Sequence, residues 1–266
     1  MVNADLTIGF IGYGNMAQAM AQGLVSSGVV RADQIVATTL HFDKLEISTK
    51  KLGVRAVRSA QELVELSDIV VVAVKPQQVE EALKPVLAGL SNDQRFIVSI
   101  VAGYTHSYYE NLCSKGTHII CAIPNTPIAV RKGILVTETK HSLSAEQYQI
   151  FQEVFRPVAL IEEVSTDQVD IASTVAGCTP AFTAMYMEAL ADAAVKYGLS
   201  RHSAYRVVAQ MLEGTGALYL DTETHPGIMK DQVTSPGGTT IRGVAALEQA
   251  AFRGAVIAAI DAIELR

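Results

Sequence analysis

The sequence predicts an α/β domain built on a doubly wound parallel sheet, residues 1–163, followed by an all-α domain, residues 164–266. Three observations predict it. Five short apolar runs alternate with helical stretches in the first part, a glycine loop follows the first of these runs, and strand rhythm stops after Glu163. A chain of 266 residues has room for two domains.

The five runs are Leu6–Gly12, Gln34–Thr38, Asp68–Val74, Phe96–Val101 and His118–Ile123. They are almost continuously apolar, as strands covered on both faces are. Helical stretches such as NMAQAMAQGLVSS and PQQVEEALKPVLAGL separate them. That alternation defines a parallel sheet with helical crossovers.

The loop GFIGYGNMA after the first run fits G-x-G-x-x-A at Gly12, Gly14 and Ala17. Gly12 permits a tight turn, Gly14 lets the backbone approach a pyrophosphate, and Ala17 lets helix and strand pack closely. With Asn15 and Met16 these residues are the expected dinucleotide cradle, at a helix start whose free N–H groups attract phosphate. The first domain is therefore Rossmann-like. Its second run ends IVATTLHFDK, with no Asp or Glu at the usual ribose position and no arginine in the stretch. A neutral end tolerates a 2′-phosphate, and Thr39 and His41 can donate to one. The expected cofactor is NADPH, with NADH possible.

Past Ser165 no run reads as a strand. Pro180–Gly198 carries Pro at a plausible helix start and Gly at a plausible end, and Val244–Ile263 reads as another single helix. Both are apolar almost all round, so both need burial on most sides. A helical half of this size has limited interior. Packing against a second copy of the chain is expected, as a homodimer or higher homo-oligomer.

Bulk properties exclude other classes. The net charge of −6 argues against nucleic acid or an anionic membrane surface. Cys113, Cys121 and Cys178 show no metal spacing and read as reduced thiols, so no metal is expected. The opening MVNADLTIGF lacks the pattern of a secretory leader, and the expected location is cytoplasmic.

A second glycine turn, SPGGTT at Ser235–Thr240, precedes a long helical pattern. Two readings of it hold together. It is a helix N-cap using Thr239 or Thr240. It is also an anion site formed by the N–H groups of Gly237, Gly238 and Thr239, stiffened by Pro236.

With these segments placed, the chain resembles the pyrroline-5-carboxylate reductases. The resemblance rests on IGFIGYGNMA, DIVVVAVKPQ, SIVAG, PNTP, the segment Glu188–Gln210 and the long HPGIMKDQVTSPGGTTIRGVAALEQAAFR. It implies hydride transfer from NAD(P)H to 1-pyrroline-5-carboxylate, giving L-proline. It places the substrate carboxylate on Ser235, Pro236, Gly237, Gly238 and Thr239, and the ring nitrogen on Thr240. Glu223 falls near the substrate; by composition alone it is an exposed loop acid. Ala73, Val74, Lys75, Pro76 and Asn125 are assigned to the nicotinamide end, with a solvated charge as the other reading of Lys75. Departures fall at Cys121 and Ile123, where the family often has Arg and Met. They fall also at Cys178 and Thr179 within GCTPAF, and at Ala60. The competing functions are a reductase of a related cyclic imine and a non-catalytic NADP-binding regulator. A β-hydroxyacid dehydrogenase is disfavoured because Ser165–Val195 holds no Lys or Arg.

Overall fold

The computed structural model describes residues 6–265, so the stretch read for a leader begins outside the described residues. The chain divides between Gly177 and Cys178 into two compact units.

The first unit carries β1 (Ile8–Ile11), α1 (Asn15–Ser27), β2 (Ile35–Thr38), α2 (Phe42–Lys50), β3 (Arg55–Ala56), α3 (Ala60–Leu66), β4 (Ile69–Val72), α4 (Val79–Leu83) and α5 (Leu87–Leu90). It continues with β5 (Phe96–Ser99), α6 (His106–Leu112), β6 (Ile119–Pro124), β7 (Gly133–Glu138), α7 (Ala145–Phe155) and β8 (Ala159–Val164). The strands form one sheet in the order β3-β2-β1-β4-β5-β6-β7-β8. The first six are parallel, β7 runs antiparallel to β6, and β8 is parallel to β7.

All five expected strands form. Successive side chains point to opposite faces, so each apolar run feeds two cores. Ile8, Phe10, Ile35, Ile69, Val71, Val98 and Ile120 pack under α1 and α7. Ile11, Val36, Val70, Val72, Ile97 and Cys121 pack with Leu63, Leu83, Leu90 and Tyr109 of the helices on the other side. The sequence reading missed β3, β7 and β8. β3 has only two residues, and neither is buried. β8 reads ALIEEV, with Glu162 and Glu163 interrupting any apolar run.

Two glycines set how closely helices approach. A Cβ on Gly9 would lie 2.2 Å from Ser67 Oγ and 2.5 Å from Leu63 Cδ2, so β1 accepts the end of α3 only without a side chain. A Cβ on Gly23 would lie 2.2 Å from the carbonyl oxygen of Ile128, in the 3₁₀ turn Thr126–Val130 that α1 packs on.

The helical part holds α8 (Val169–Lys196), α9 (Arg201–Thr222), α10 (Pro226–Gln232), α11 (Thr239–Gln249) and α12 (Phe252–Glu264). Two sequence expectations change here. The helix expected to start at Pro180 begins at Val169, and Pro180 sits inside it. The helix expected to run unbroken from Val244 to Ile263 divides at Ala250–Ala251, where Ala251 takes a left-handed φ of 55° and the axis bends by 47°. An alanine in that conformation costs roughly 1–2 kcal/mol, so packing must offset it. The Tyr186 and Phe252 rings, 5.9 Å apart, and the Arg253–Glu248 ion pair at 2.7 Å both hold the bend. Nothing local in an alanine-rich stretch announces such a break.

From Cys178 onward, only Ala191, Ala204 and Val208 are buried apolar residues among the described residues. Met185, Val207, Leu218, Leu220, Ile228, Val233, Val256 and Ile257 are exposed. No single helix among the described residues is long and apolar enough to cross a membrane.

Gly23→Ala is expected to destabilise the first unit by about 1–3 kcal/mol, because a backbone carbonyl cannot rotate away as a side chain can. Urea unfolding followed by far-ultraviolet circular dichroism measures it. An unchanged midpoint would show that the turn at Ile128 shifts freely.

Candidate active site

β1 and β4 are neighbours whose chain connections leave in opposite directions, so a crevice opens beyond their carboxyl ends. Gly12 stands there with φ 93°, and a Cβ on it would lie 2.5 Å from the Ala73 carbonyl oxygen. Both the conformation and the space require glycine. The Gly12 N–H donates to Thr38 O at 2.9 Å, and the Ala73 N–H donates to Ile11 O at 2.8 Å. The ends of β2, β1 and β4 are thereby tied to the loop.

Gly14 is the N-cap of α1, extended and exposed, with no side-chain cap on the helix. A Cβ there would touch nothing. The backbone is thus open to solvent where Asn15, Met16 and Ala17 begin the helix. Those first-turn N–H groups have no helical carbonyl to bond. Ala17 is buried under the sheet. Tyr13, between the glycines, is buried edge-on to Phe10 with ring centroids 6.1 Å apart. Burial pushes its phenol up to about 12, so the loop carries no anion to repel a pyrophosphate. These residues fit a dinucleotide.

Ala73 and Val74 line Gly12 directly. Lys75 is exposed and caps a 3₁₀ turn, Pro76–Gln78; its N–H donates to Gln78 Oε1 at 3.4 Å and its carbonyl accepts from Gln78 N at 2.9 Å. Its backbone, expected to face the nicotinamide, is therefore engaged by Gln78, a residue the sequence reading did not single out. Thr39, expected to donate to a 2′-phosphate, turns its hydroxyl onto the His41 backbone, donating to the carbonyl at 3.2 Å and accepting from the N–H at 3.3 Å.

Asn125, expected at the nicotinamide end, has its side chain engaged by backbone. It is buried at the end of β6, where its Oδ1 accepts from Ile134 N at 2.8 Å and its Nδ2 donates to Ala176 O at 3.0 Å. Ala176 lies four residues before Pro180. Proline has no N–H, so the helix offers the Ala176 carbonyl no donor. Asn125 supplies it. The side chain is a clamp between the β6 end, β7 and α8.

The three cysteines separate by environment. Cys121 is buried in β6, where desolvation and the nearby Glu138 raise its thiol strongly. Burial pushes the Cys113 thiol to about 11. Both are neutral at pH 7. Cys178 is exposed on α8.

The second glycine turn lies in the helical unit. Ser235–Gly238 is a β-turn with Pro236 and Gly237 at its centre, Gly237 at φ 69°, closed by Gly238 N donating to Ser235 O at 3.0 Å. Proline followed by left-handed glycine is the type II arrangement. Two expectations are revised. The Gly238 N–H closes the turn, which withdraws it from an anion. The N-cap of α11 is Gly238, with no threonine side chain capping it. Thr239 and Thr240 are exposed in the first turn, and their N–H groups remain as donors. Arg242, missed in the sequence, donates from Nη2 to Gly237 O at 3.2 Å and brings a positive charge to the turn. Glu223 is exposed at the C-cap of α9 with a left-handed φ of 50°.

The loops at the ends of β1, β2 and β4 and the uncapped α1 define a dinucleotide-dependent oxidoreductase. Residues 7–103 match the family described as NADP oxidoreductase, coenzyme F420-dependent, and residues 166–266 match pyrroline-5-carboxylate reductase dimerisation. The chain is 41% identical over 261 residues to the pyrroline-5-carboxylate reductase of Treponema pallidum, covering 97% of this chain and 98% of that one. It superposes on the solved Coxiella burnetii pyrroline-5-carboxylate reductase with a TM-score of 0.84 at 32% identity, covering 98% and 96% of the two chains. The Plasmodium falciparum pyrroline carboxylate reductase, solved with NADP bound, gives 0.84 at 27% identity, covering 97% and 95%. The chain belongs to the pyrroline-5-carboxylate reductase family.

The Asn125 clamp yields a coupling test. Asn125→Ala is expected to cost about 2–4 kcal/mol, since two buried backbone groups lose their partners. In a Pro180→Ala background the helix regains a donor for Ala176 O, so the same substitution should cost at least about 1 kcal/mol less. Equal costs in the two backgrounds, by chemical unfolding, would break the pairing.

Proposed function

We propose that this chain reduces 1-pyrroline-5-carboxylate to L-proline with NAD(P)H. The observation that carries this reading is the Ser235–Thr240 turn, which presents first-turn N–H groups beside Arg242 in a chain that also holds an open dinucleotide loop. The reduced nicotinamide, when bound, supplies the hydride. The residues of the chain bind and orient.

In this reading Gly12, Gly14, Asn15, Met16 and Ala17 hold the pyrophosphate. Ala73, Val74, Lys75 and Pro76 border the nicotinamide. Ser235, Pro236, Gly237, Gly238 and Thr239 shape the carboxylate site, with the Thr239 N–H as a donor. Attraction between an anion and a helix start contributes roughly 0.3–1 kcal/mol when exposed and up to about 2 when partly buried. That orients the substrate but does not supply the rate. Thr240 donates its hydroxyl hydrogen toward the ring nitrogen. A cyclic imine arrives partly protonated, so no strong acid is required. Preorganisation of two bound reactants removes roughly 7–11 kcal/mol of barrier and is the main contribution.

Residues 1–163 serve as the dinucleotide domain and residues 164–266 as the substrate and dimerisation domain. The active species is a homodimer or larger homo-oligomer. The scarcity of buried residues beyond Cys178 supports this, as does an apolar groove of about 450 Å³ lined by Ile134, Leu160 and Ile171. The enzyme works in the cytoplasm.

Loss of NADPH absorbance on addition of pyrroline-5-carboxylate, with proline as the product, tests the reading. Tight nucleotide binding without turnover would favour a regulator, and turnover confined to another imine would redirect the substrate. Thr240→Ala should lower turnover by no more than about 10³-fold. Complete loss would make Thr240 an obligatory proton donor. Glu223→Gly separates stability from activity. It relieves a left-handed non-glycine residue, so the melting temperature should rise by roughly 2–4 °C while kcat/KM falls by about tenfold or more. A rise in both would remove Glu223 from the site.

A further inference from the structure

The carboxyl end of β2 carries a cation that the sequence hides. β3 pairs with β2 through Val36–Arg55 and Ala37–Ala56, and the ladder continues with Val57 N donating to Ala37 O at 2.9 Å. The next residue, Arg58, is thus delivered level with Thr39, nineteen residues away in sequence. Its guanidinium lies over the Phe42 ring, 4.1 Å from the centroid, on the first turn of α2.

The charge there is uncompensated. Glu62, the acid nearest along the chain, is committed elsewhere: its Oε1 faces Arg55 Nη2 at 3.7 Å and its Oε2 accepts the Arg58 backbone N–H at 3.3 Å. Among the described residues the Arg58 guanidinium has no acidic partner. Residues 38–42 read TTLHF and contain no carboxylate. The β2 end is the place where a Rossmann-type domain reads the adenosine ribose. An acid there would select the free 2′-hydroxyl. A guanidinium carried over an aromatic ring favours a phosphate instead, because it keeps its charge and its N–H donors for oxygen.

We propose that Arg58, seated over the Phe42 ring, binds the 2′-phosphate and makes the enzyme select NADPH over NADH. This rests on the reading of the Gly12–Ala17 loop as the dinucleotide cradle and adds the residue that distinguishes the two cofactors. Thr39 and the exposed His41 belong to the same β2 end, and the guanidinium carbon sits over the Phe42 ring.

Titration calorimetry with 2′,5′-ADP and 5′-AMP tests it without turnover, since the two fragments differ only in the 2′-phosphate. Wild-type protein should bind 2′,5′-ADP at least about tenfold more tightly. Arg58→Ala should weaken 2′,5′-ADP by about 10- to 100-fold and leave 5′-AMP within about twofold. Arg58→Gln, which keeps the bulk and removes the charge, should behave like the alanine variant. KM for NADPH should rise in both variants while KM for NADH stays constant. Equal weakening of both fragments, or none, overturns the proposal and leaves the cradle reading intact. Wild-type protein that binds neither fragment, or a Gly14→Val variant that binds both as tightly as wild type, overturns the cradle reading and this proposal with it.

Discussion

The structure turns on one close approach, the Gly12 backbone against the Ala73 carbonyl at the ends of β1 and β4. Two neighbouring strands whose connections diverge leave a crevice, and what enters it depends on how tightly the loop above β1 turns. A left-handed residue with no side chain lets that loop fold back beside β4, so that α1 starts over the crevice. Hydrogen bonds from Gly12 to Thr38 and from Ala73 to Ile11 make the three strand ends move as one piece. The helix start and the strand ends at Thr38 and Val74 all inherit their positions from this contact. Tyr13 anchors the loop from below, while Gly14 leaves its upper surface bare.

Much of the fold was legible in the sequence because central parallel strands must be apolar on both faces. The runs Leu6–Gly12, Asp68–Val74 and Phe96–Val101 meet that requirement and form. β3 was illegible for the opposite reason. It has two residues, exposed Arg55 and partly buried Ala56, so no apolar run marks it. That omission also hid Arg58, which reaches the β2 end by strand pairing and lies far from it in the chain. A positive-φ Gly53 before the short VRAV run was the available signal.

Within the site, residue types were readable and engagements were not. Gly12 and Gly237 take left-handed conformations that glycine permits, whereas Gly14 and Gly238 are extended. The Gly238 N–H was misread because sequence does not say whether a turn closes on itself. The Asn125 clamp was illegible because its partner carbonyl becomes needy only through a proline fifty-five residues later. Pro180 itself suggested a helix start, since proline is best tolerated there. Inside a helix it needs a donor from elsewhere, and only tertiary structure reveals one.

Asn125 and Pro180 therefore form a single unit of inheritance. The dependence is one-sided: the amide without the proline meets a carbonyl already served, whereas the proline without the amide strands one. A lineage that loses the asparagine is under pressure to lose the proline, and the order of the two changes is not neutral. Releasing the proline first passes through a well-bonded helix, whereas releasing the asparagine first passes through a buried, unserved oxygen.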